Sequence, residues 1–196
     1  MQADQVDVAA PQESGIATVA DLAALARNVG VTLEIGGSHK IEVILLNFSD
    51  ASVFSAKNTD PARAIAMRTA FLKLVPIAKI LTALSADSPV IEAKSWIYSS
   101  KSSFYAPFTE TNGSAEFALQ RAEEAQELLK AQNIRTPVDI RVLYDSNNPR
   151  SKAEYALLGQ YASTVGFNLI DVSTRNPREV YTTGEFDVYI TTEALA

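Results

Sequence analysis

The strongest constraint on this chain lies between Thr136 and Thr192, where a strand pattern, a capped helix and two further strand patterns follow one another. Val138, Ile140, Val142 and Tyr144 recur at every second residue, the period of a strand with one face buried. Asn148 before Pro149 marks a helix start, a side-chain cap followed by a residue whose fixed φ suits the first turn. Leu158, Tyr161, Ala162 and Val165 then build one apolar stripe at helical spacing, and Gly166 supplies a left-handed stop. Residues 167–172 and, after a short polar run, residues 186–190 are the next β-rich runs. Strand, helix and strand predict a βαβ unit, parallel and right-handed. Everything upstream must pack onto it.

The upstream pattern supplies partners for that unit. Residues 5–9 alternate as a short strand, and Thr18 with Asp21 resembles a capping box before the stripe Leu22, Leu25, Ala26 and Val29, which stops at Gly30. Residues 31–35 alternate, residues 36–40 turn, and residues 41–48 return as an apolar run, so a β-hairpin is expected. The unbroken Val43-Ile-Leu-Leu46 predicts burial on both faces. Asp60-Pro61 caps a helix whose inner face is Ala64, Met67, Phe71, Leu74 and Val75 and which Pro76 stops. Ile77, Ile80, Leu81 and Leu84 define a short second helix. Residues 85–112 lack periodicity and carry Trp96, Tyr98, Phe104, Tyr105 and Phe108, which reads as an extended aromatic loop. Residues 115–132 read as one helix, with Ala118, Ala122, Ala125 and Leu129 inward and Glu123, Glu124 and Glu127 outward. No internal repeat or linker divides the 196 residues, so a single α/β domain over 1–196 is expected.

Composition removes several function classes. A net charge of −6 offers no basic stripe for nucleic acid. No apolar run approaches the roughly 18 residues a membrane-spanning helix needs. Met1-Gln-Ala-Asp4 lacks the basic start and apolar middle of a secretory signal. The absence of cysteine excludes disulfides, thiolate metal sites and thiol catalysis. Dinucleotide, P-loop, zinc-protease, nucleophile-elbow and EF-hand motifs do not occur, so neither cofactor nor metal is expected. His39, the single histidine, reads as a solvated turn residue, and the three glutamates of the 115–132 helix as a solvated face.

Two places could bind a ligand. Trp96, Tyr98 and Tyr105 could form an aromatic cleft wall gripping a peptide or sugar, or could simply pin their loop to the core. Asp145, Ser146 and Asn147 stand between a strand's carboxyl end and a helix's amino end, where free backbone N–H groups commonly meet ligands. The plain alternative is an ordinary polar loop with a cap.

The order of these pieces carries a resemblance. Asn147-Asn-Pro-Arg150, Gly166-Phe-Asn-Leu-Ile170 and Arg178-Glu-Val-Tyr-Thr-Thr-Gly-Glu-Phe-Asp-Val-Tyr-Ile190 resemble the second lobe of the peptide/nickel class (family 5, oligopeptide- and dipeptide-binding) of ABC-transporter solute-binding proteins. Gln5-Val-Asp-Val-Ala-Ala-Pro11 looks like that family's crossover strand, and Leu45-Leu-Asn-Phe48 like its strand ending in Asn. Arg68 and Ala70 occupy the places of its Val-Arg-x-Ala helix, and Ala122-Glu-Glu-Ala-Gln-Glu-Leu-Leu-Lys-Ala131 is like its A-x-x-L-L helix. The chain departs from the family at Asp145, where dipeptide-binding relatives can carry an arginine, and at Thr191-Thr192-Glu193, where Gly-Trp is usual.

The resemblance implies a periplasmic-binding-protein type II lobe, with a mixed sheet, flanking helices and the C-terminal βαβ unit. It also implies one lobe of a larger two-lobe receptor that captures peptides or similar small solutes by closure, without catalysis. Its partners would be the solute, lobe I of the same parent chain and the membrane subunits of an ABC importer. Its location would be extracytoplasmic, in the periplasm or lipid-anchored at the cell surface. Substrate-binding residues would be Trp96, Tyr98, Tyr105, Asp145, Ser146 and Asn147. The competing readings are a small hydrolase-like enzyme using scattered acids such as Asp145 and Glu193, and a protein-interaction domain with an exposed apolar patch.

Overall fold

Val138, Ile140, Val142 and Tyr144 do lie on one buried face, and the strand that carries the first three is the second of four described strands in a mixed sheet. The structure, a computed structural model, describes residues 40–84 and 103–194, with Ala24, Arg27 and Thr32 standing alone before them. The elements in order are β1 (Lys40–Leu46), α1 (Pro61–Leu74), α2 (Ile77–Leu84), α3 (Tyr105–Thr111), a 3₁₀ turn (Ser114–Phe117), α4 (Ala122–Ala131), β2 (Val138–Leu143), α5 (Pro149–Val165), β3 (Phe167–Asp171), α6 (Pro177–Thr183) and β4 (Val188–Ala194). The expected strand over 5–9, the pairing of 31–35 with β1, and Trp96 and Tyr98 lie outside the described residues, as does the 18–30 stripe apart from Ala24 and Arg27, which are helical.

The sheet order is β1-β4-β2-β3. β2 and β3 pair in parallel from Val138↔Phe167 to Val142↔Asp171, closing the βαβ unit that the spacing predicts. Its helix α5 starts where Asn148 Oδ1 accepts from the Arg150 amide at 3.0 Å and stops at Gly166, φ 111°. β4 pairs with β2 in parallel only at Val142↔Val188 and Leu143↔Tyr189, and with β1 antiparallel from Leu46↔Val188 to Lys40↔Ala194. Among the described residues, most of β4, together with β1, therefore runs on past the carboxyl end of β2 as a two-stranded ribbon.

α1, α4 and α5 cover one face of the sheet and share its core. Phe71 lies edge-on between Phe54 and Phe167, with ring centroids at 5.7 and 5.9 Å; such pairs add about 0.5–1.5 kcal/mol beyond their buried area. The inner face expected of α1 is buried throughout, and Asp60 Oδ1 caps its first turn through the Ala62 amide at 2.8 Å.

Four expectations change. Val43–Leu46 is half-buried rather than closed on both faces: Ile44 and Leu46 pack against the core, and the alternate residues point away from it. Residues 115–132 are not one helix. α1 ends with carbonyls that need donors, and the chain breaks to supply them: the Arg121 amide donates to Lys73 O at 2.8 Å and Gln120 Nε2 to Leu74 O at 2.9 Å. The preceding 3₁₀ turn folds over Lys73, which is 5% exposed, paired with Glu116 and Glu124 at 3.4 and 3.0 Å and set 5.6 Å from the Phe117 ring. The end of the expected aromatic loop is the helix α3, where the Thr109 and Thr111 hydroxyls donate back to the carbonyls of Ala106 and Pro107. The polar run before β4 holds α6, stopped by Gly184 at φ 72°, and β4 itself begins at Val188 and runs on to Ala194.

Candidate functional site

The parallel strands β2 and β3 end on the same side, and their outgoing loops are zipped together there. Asp145 and Thr174 form a parallel bridge; the Ser146 amide donates to Thr174 O at 3.0 Å and the Thr174 amide to Tyr144 O at 3.2 Å. Asp145 Oδ1 accepts from the Asn147 amide at 2.8 Å, and Asp145 O from the Asn148 amide at 3.0 Å. The amides of Ser146, Asn147 and Asn148 are thus already taken up, the first by Thr174 and the other two by Asp145. What it offers a ligand is side chains: a half-buried carboxylate and hydroxyl, and the exposed amide of Asn147.

Below this edge Tyr144 donates to Asp171 Oδ2 at 2.9 Å and stacks on Tyr155, with centroids 5.2 Å apart. Burial pushes the Tyr144 hydroxyl up. Burial also opposes the charge on Asp171, but Ser173 and Tyr144 donate to it and hold it below the usual carboxylate range. The β1/β4 ribbon stands beside the loops, because Ile190 onward has already passed the end of β2.

The structure brings Asp145, Ser146 and Asn147 together in this one loop. Tyr105 opens α3, which lies next to the 3₁₀ turn; Trp96 and Tyr98 are outside the described residues. Asp145 spends one oxygen on Asn147, and Glu193 sits in register with Ile41 on β1, so the two acids belong to different elements. Among the described residues no group of three or more His, Cys, Asp or Glu is placed to hold a metal ion.

Two charged arrangements escaped the sequence reading. Asp187, 0% exposed, accepts from the Arg141 amide, Nε and Nη2 at 2.8, 3.0 and 3.1 Å and from the Val53 amide at 3.0 Å. Beside it Asn47 Nδ2 donates to the carbonyls of Gly184 and Phe186 at 3.0 and 2.7 Å. This clasp joins β2, the approach to β4 and the loop after β1, and it explains the Asn that ends the β1 run. The second arrangement joins Glu42 of β1 to Arg150 of α5 at 2.5 and 3.2 Å, with Glu154, 2% exposed, one turn further along the helix. Both had a sequence signal: Asp187 stands between Phe186 and Val188 in an apolar run, and Glu154 precedes Leu158 by one helical turn on the apolar stripe.

No family model and no curated protein sequence matches the chain. Solved structures do. The periplasmic EDTA-binding protein EppA superposes with a TM-score of 0.72 at 17% identity, over 93% of this chain and 35% of its own. NikA from Staphylococcus aureus, solved with Ni(L-His)2, gives 0.61 at 14% identity, over 89% and 34%. The oligopeptide-binding protein OppA gives 0.58 at 15% identity, over 92% and 29%. This chain spans about a third of the length of each of these proteins. Its fold is therefore the α/β fold of one segment of the type II periplasmic binding proteins, as the resemblance implied.

Proposed function

We propose that this chain is the second lobe of a two-lobe extracytoplasmic receptor that captures a small solute by closure and delivers it to an ABC importer, without catalysis. The observation that carries the reading is the β1/β4 ribbon. The first and last described strands lie side by side, pair at Lys40↔Ala194 and leave the body together on the side where β2 and β3 end. A lobe inserted in another has its connections on one side, at a hinge next to the ligand edge, and β4 runs out on that side. The size of the segment supports it, since the chain covers nearly all of itself but only 35% of EppA.

Asp145, Ser146 and Asn147 would be this lobe's share of the cleft, with Tyr105, Trp96 and Tyr98 as its aromatic part. The carboxylate of Asp145 disfavours a ligand carboxylate at that loop and favours an amine or another cationic group. Peptides, or solutes built from amino acids, remain the class that fits best; the structural neighbours are named for oligopeptides and, in one complex, for a nickel–histidine chelate. Lobe I, the importer's membrane subunits and a membrane anchor on the parent follow from the same reading. No helix among the described residues is long and apolar enough to cross a membrane.

The test is calorimetry with a peptide mixture and with nickel–histidine, on this chain and on a longer chain that adds the other lobe. Binding by the longer chain and at least a hundredfold weaker binding by this one is expected, since a single lobe leaves the ligand unenclosed. Equal binding by both would place a complete site here and end the two-lobe reading.

A further inference from the structure

Glu154 is buried to 2% exposure, and its Oε1 has no hydrogen-bond partner. A buried carboxylate without donors is costly in its charged form. The nearest cation, Arg150, is already engaged: its Nε and Nη2 both go to Glu42, across 108 residues of sequence, from the first turn of α5 to β1. Two carboxyl groups thus share one guanidinium.

Among the described side chains the surroundings offer no second cation. Of the charges on α1, Arg63 donates to the carbonyls of Gln132 and Asn133, Arg68 lies over the Phe48 ring, and Lys73 is held by Glu116 and Glu124. Lys79 of α2 meets Tyr161, about two turns further along α5. On β4 the residue paired with Glu42 is the uncharged Thr192, and Glu193 alternates onto the other face. Among the described residues, the charged groups that act on Glu154 are Glu42 and Arg150.

We propose that Glu154 is held in the fold as a neutral acid and that its ionisation loosens the Glu42–Arg150 strut, so that this corner is a pH-set latch between α5 and the β1/β4 ribbon. As a neutral acid, Glu154 leaves Arg150 wholly to Glu42 and can donate its own proton to the Glu42 carboxylate. Once ionised, it competes for the guanidinium and repels Glu42, and the strut must open or admit water. Burial first, and Glu42 second, push the Glu154 carboxyl up to about 8 against the opposing pull of Arg150. The sign follows: the folded state holds a proton that the unfolded chain has released, so the latch's contribution is full below the ordinary glutamate range and is lost as pH rises to about 8. The inference concerns the lobe's own structure and holds whatever ligand it takes.

The test uses the full chain with ¹³C-labelled glutamate, the Glu154 carboxyl resonance being identified by its loss in Glu154→Gln. A titration midpoint about 8 is expected; a midpoint near the ordinary value of about 4.3 overturns the proposal. Denaturant unfolding from about pH 5 to about 9 gives the second readout, in which the unfolding constants of wild type and Glu154→Gln should diverge by up to tenfold per pH unit below the midpoint. Parallel profiles overturn it. Should Glu154→Gln fail to fold, Glu42→Gln serves: it frees Arg150 for Glu154 and should lower the Glu154 midpoint, and an unmoved midpoint is again contrary. Loosening itself is read by amide exchange at Val43 and Ile44, which should accelerate above the midpoint in wild type beyond the change seen in Glu154→Gln. Equal acceleration in both would show that the strut is not what yields.

Discussion

Asp187 and Glu154 are two carboxyl groups withdrawn from water to nearly the same degree, 0% and 2% exposed, and the fold treats them in opposite ways. Asp187 is met by an amide and two guanidinium N–H groups of Arg141 and by the Val53 amide. Burial pushes it up, but those donors outweigh burial and hold its carboxyl below the usual range. Glu154 is met by a second acid and by a guanidinium already spoken for, and its carboxyl rises. Burial alone does not set the charge of a buried acid; the number of donors aimed at it does. Asp187 fastens strands as an ion, whereas Glu154 is tolerated as a neutral group.

The sharpest way to break this contrast is Asp187→Ala. It should cost about 3–5 kcal/mol in urea unfolding, because Arg141 and the Val53 amide lose a buried partner together. A loss under about 1 kcal/mol would mean that the clasp is ornamental.

Next comes the acid limb of stability. The unfolded chain binds the Asp187 proton more readily than the fold does, so this contribution is present above the ordinary aspartate range, about 3.9, and is lost as pH falls below it. Comparing urea midpoints of wild type and Asp187→Asn from about pH 2 to about 6 should show the difference shrinking toward the acid end. A constant difference would place the ionised form elsewhere.

A smaller effect is expected at Gly184, whose carbonyl takes an Asn47 bond beside the clasp. Its φ is +72°, and an added Cβ would come within 3.1 Å of Ser49 Oγ. Gly184→Ala should therefore lower stability by about 1 kcal/mol, measured by thermal unfolding. Smallest of all is Glu154→Met, which removes an acid but leaves Glu42 and Arg150 paired. It should change stability by no more than about 1 kcal/mol at neutral pH and raise it at alkaline pH, since apolar replacement of a poorly paired buried acid is often neutral or stabilising. The same change at Asp187 would be severe.

Much of the frame was legible in the residues, for reasons that the structure makes plain. Asn148, Pro149 and Gly166 mark α5 by local chemistry, and the alternation of Val138, Ile140 and Val142 marks β2 by its buried face. Both signals live within a few residues. The break before α4 was not legible, because it depends on Lys73 and Leu74, some fifty residues earlier, offering their carbonyls to Arg121 and Gln120. At the candidate edge, the sequence placed Asp145, Ser146 and Asn147 in one loop but could not tell that Thr174 would bridge to it and that the loop amides would be used internally. Arg141 with Asp187, and Arg150 with Glu42, are pairs between distant elements, 46 and 108 residues apart. Only the oddity of a charge in an apolar run pointed to them.

The pairing of Lys40 with Ala194 has a mechanical side as well. Tension applied to the two ends of this ribbon would not shear all its rungs at once. It would draw neighbouring antiparallel strands apart from one end, loading a single pair of hydrogen bonds at a time and peeling β1 from β4 like a zip. The first strong resistance would come where β4 meets β2, at Tyr189 and then Val188, with the Asp187 clasp immediately behind it. The ribbon is thus a compliant strap in front of a stiff anchor, able to yield from its Lys40–Ala194 end while the body it belongs to stays folded.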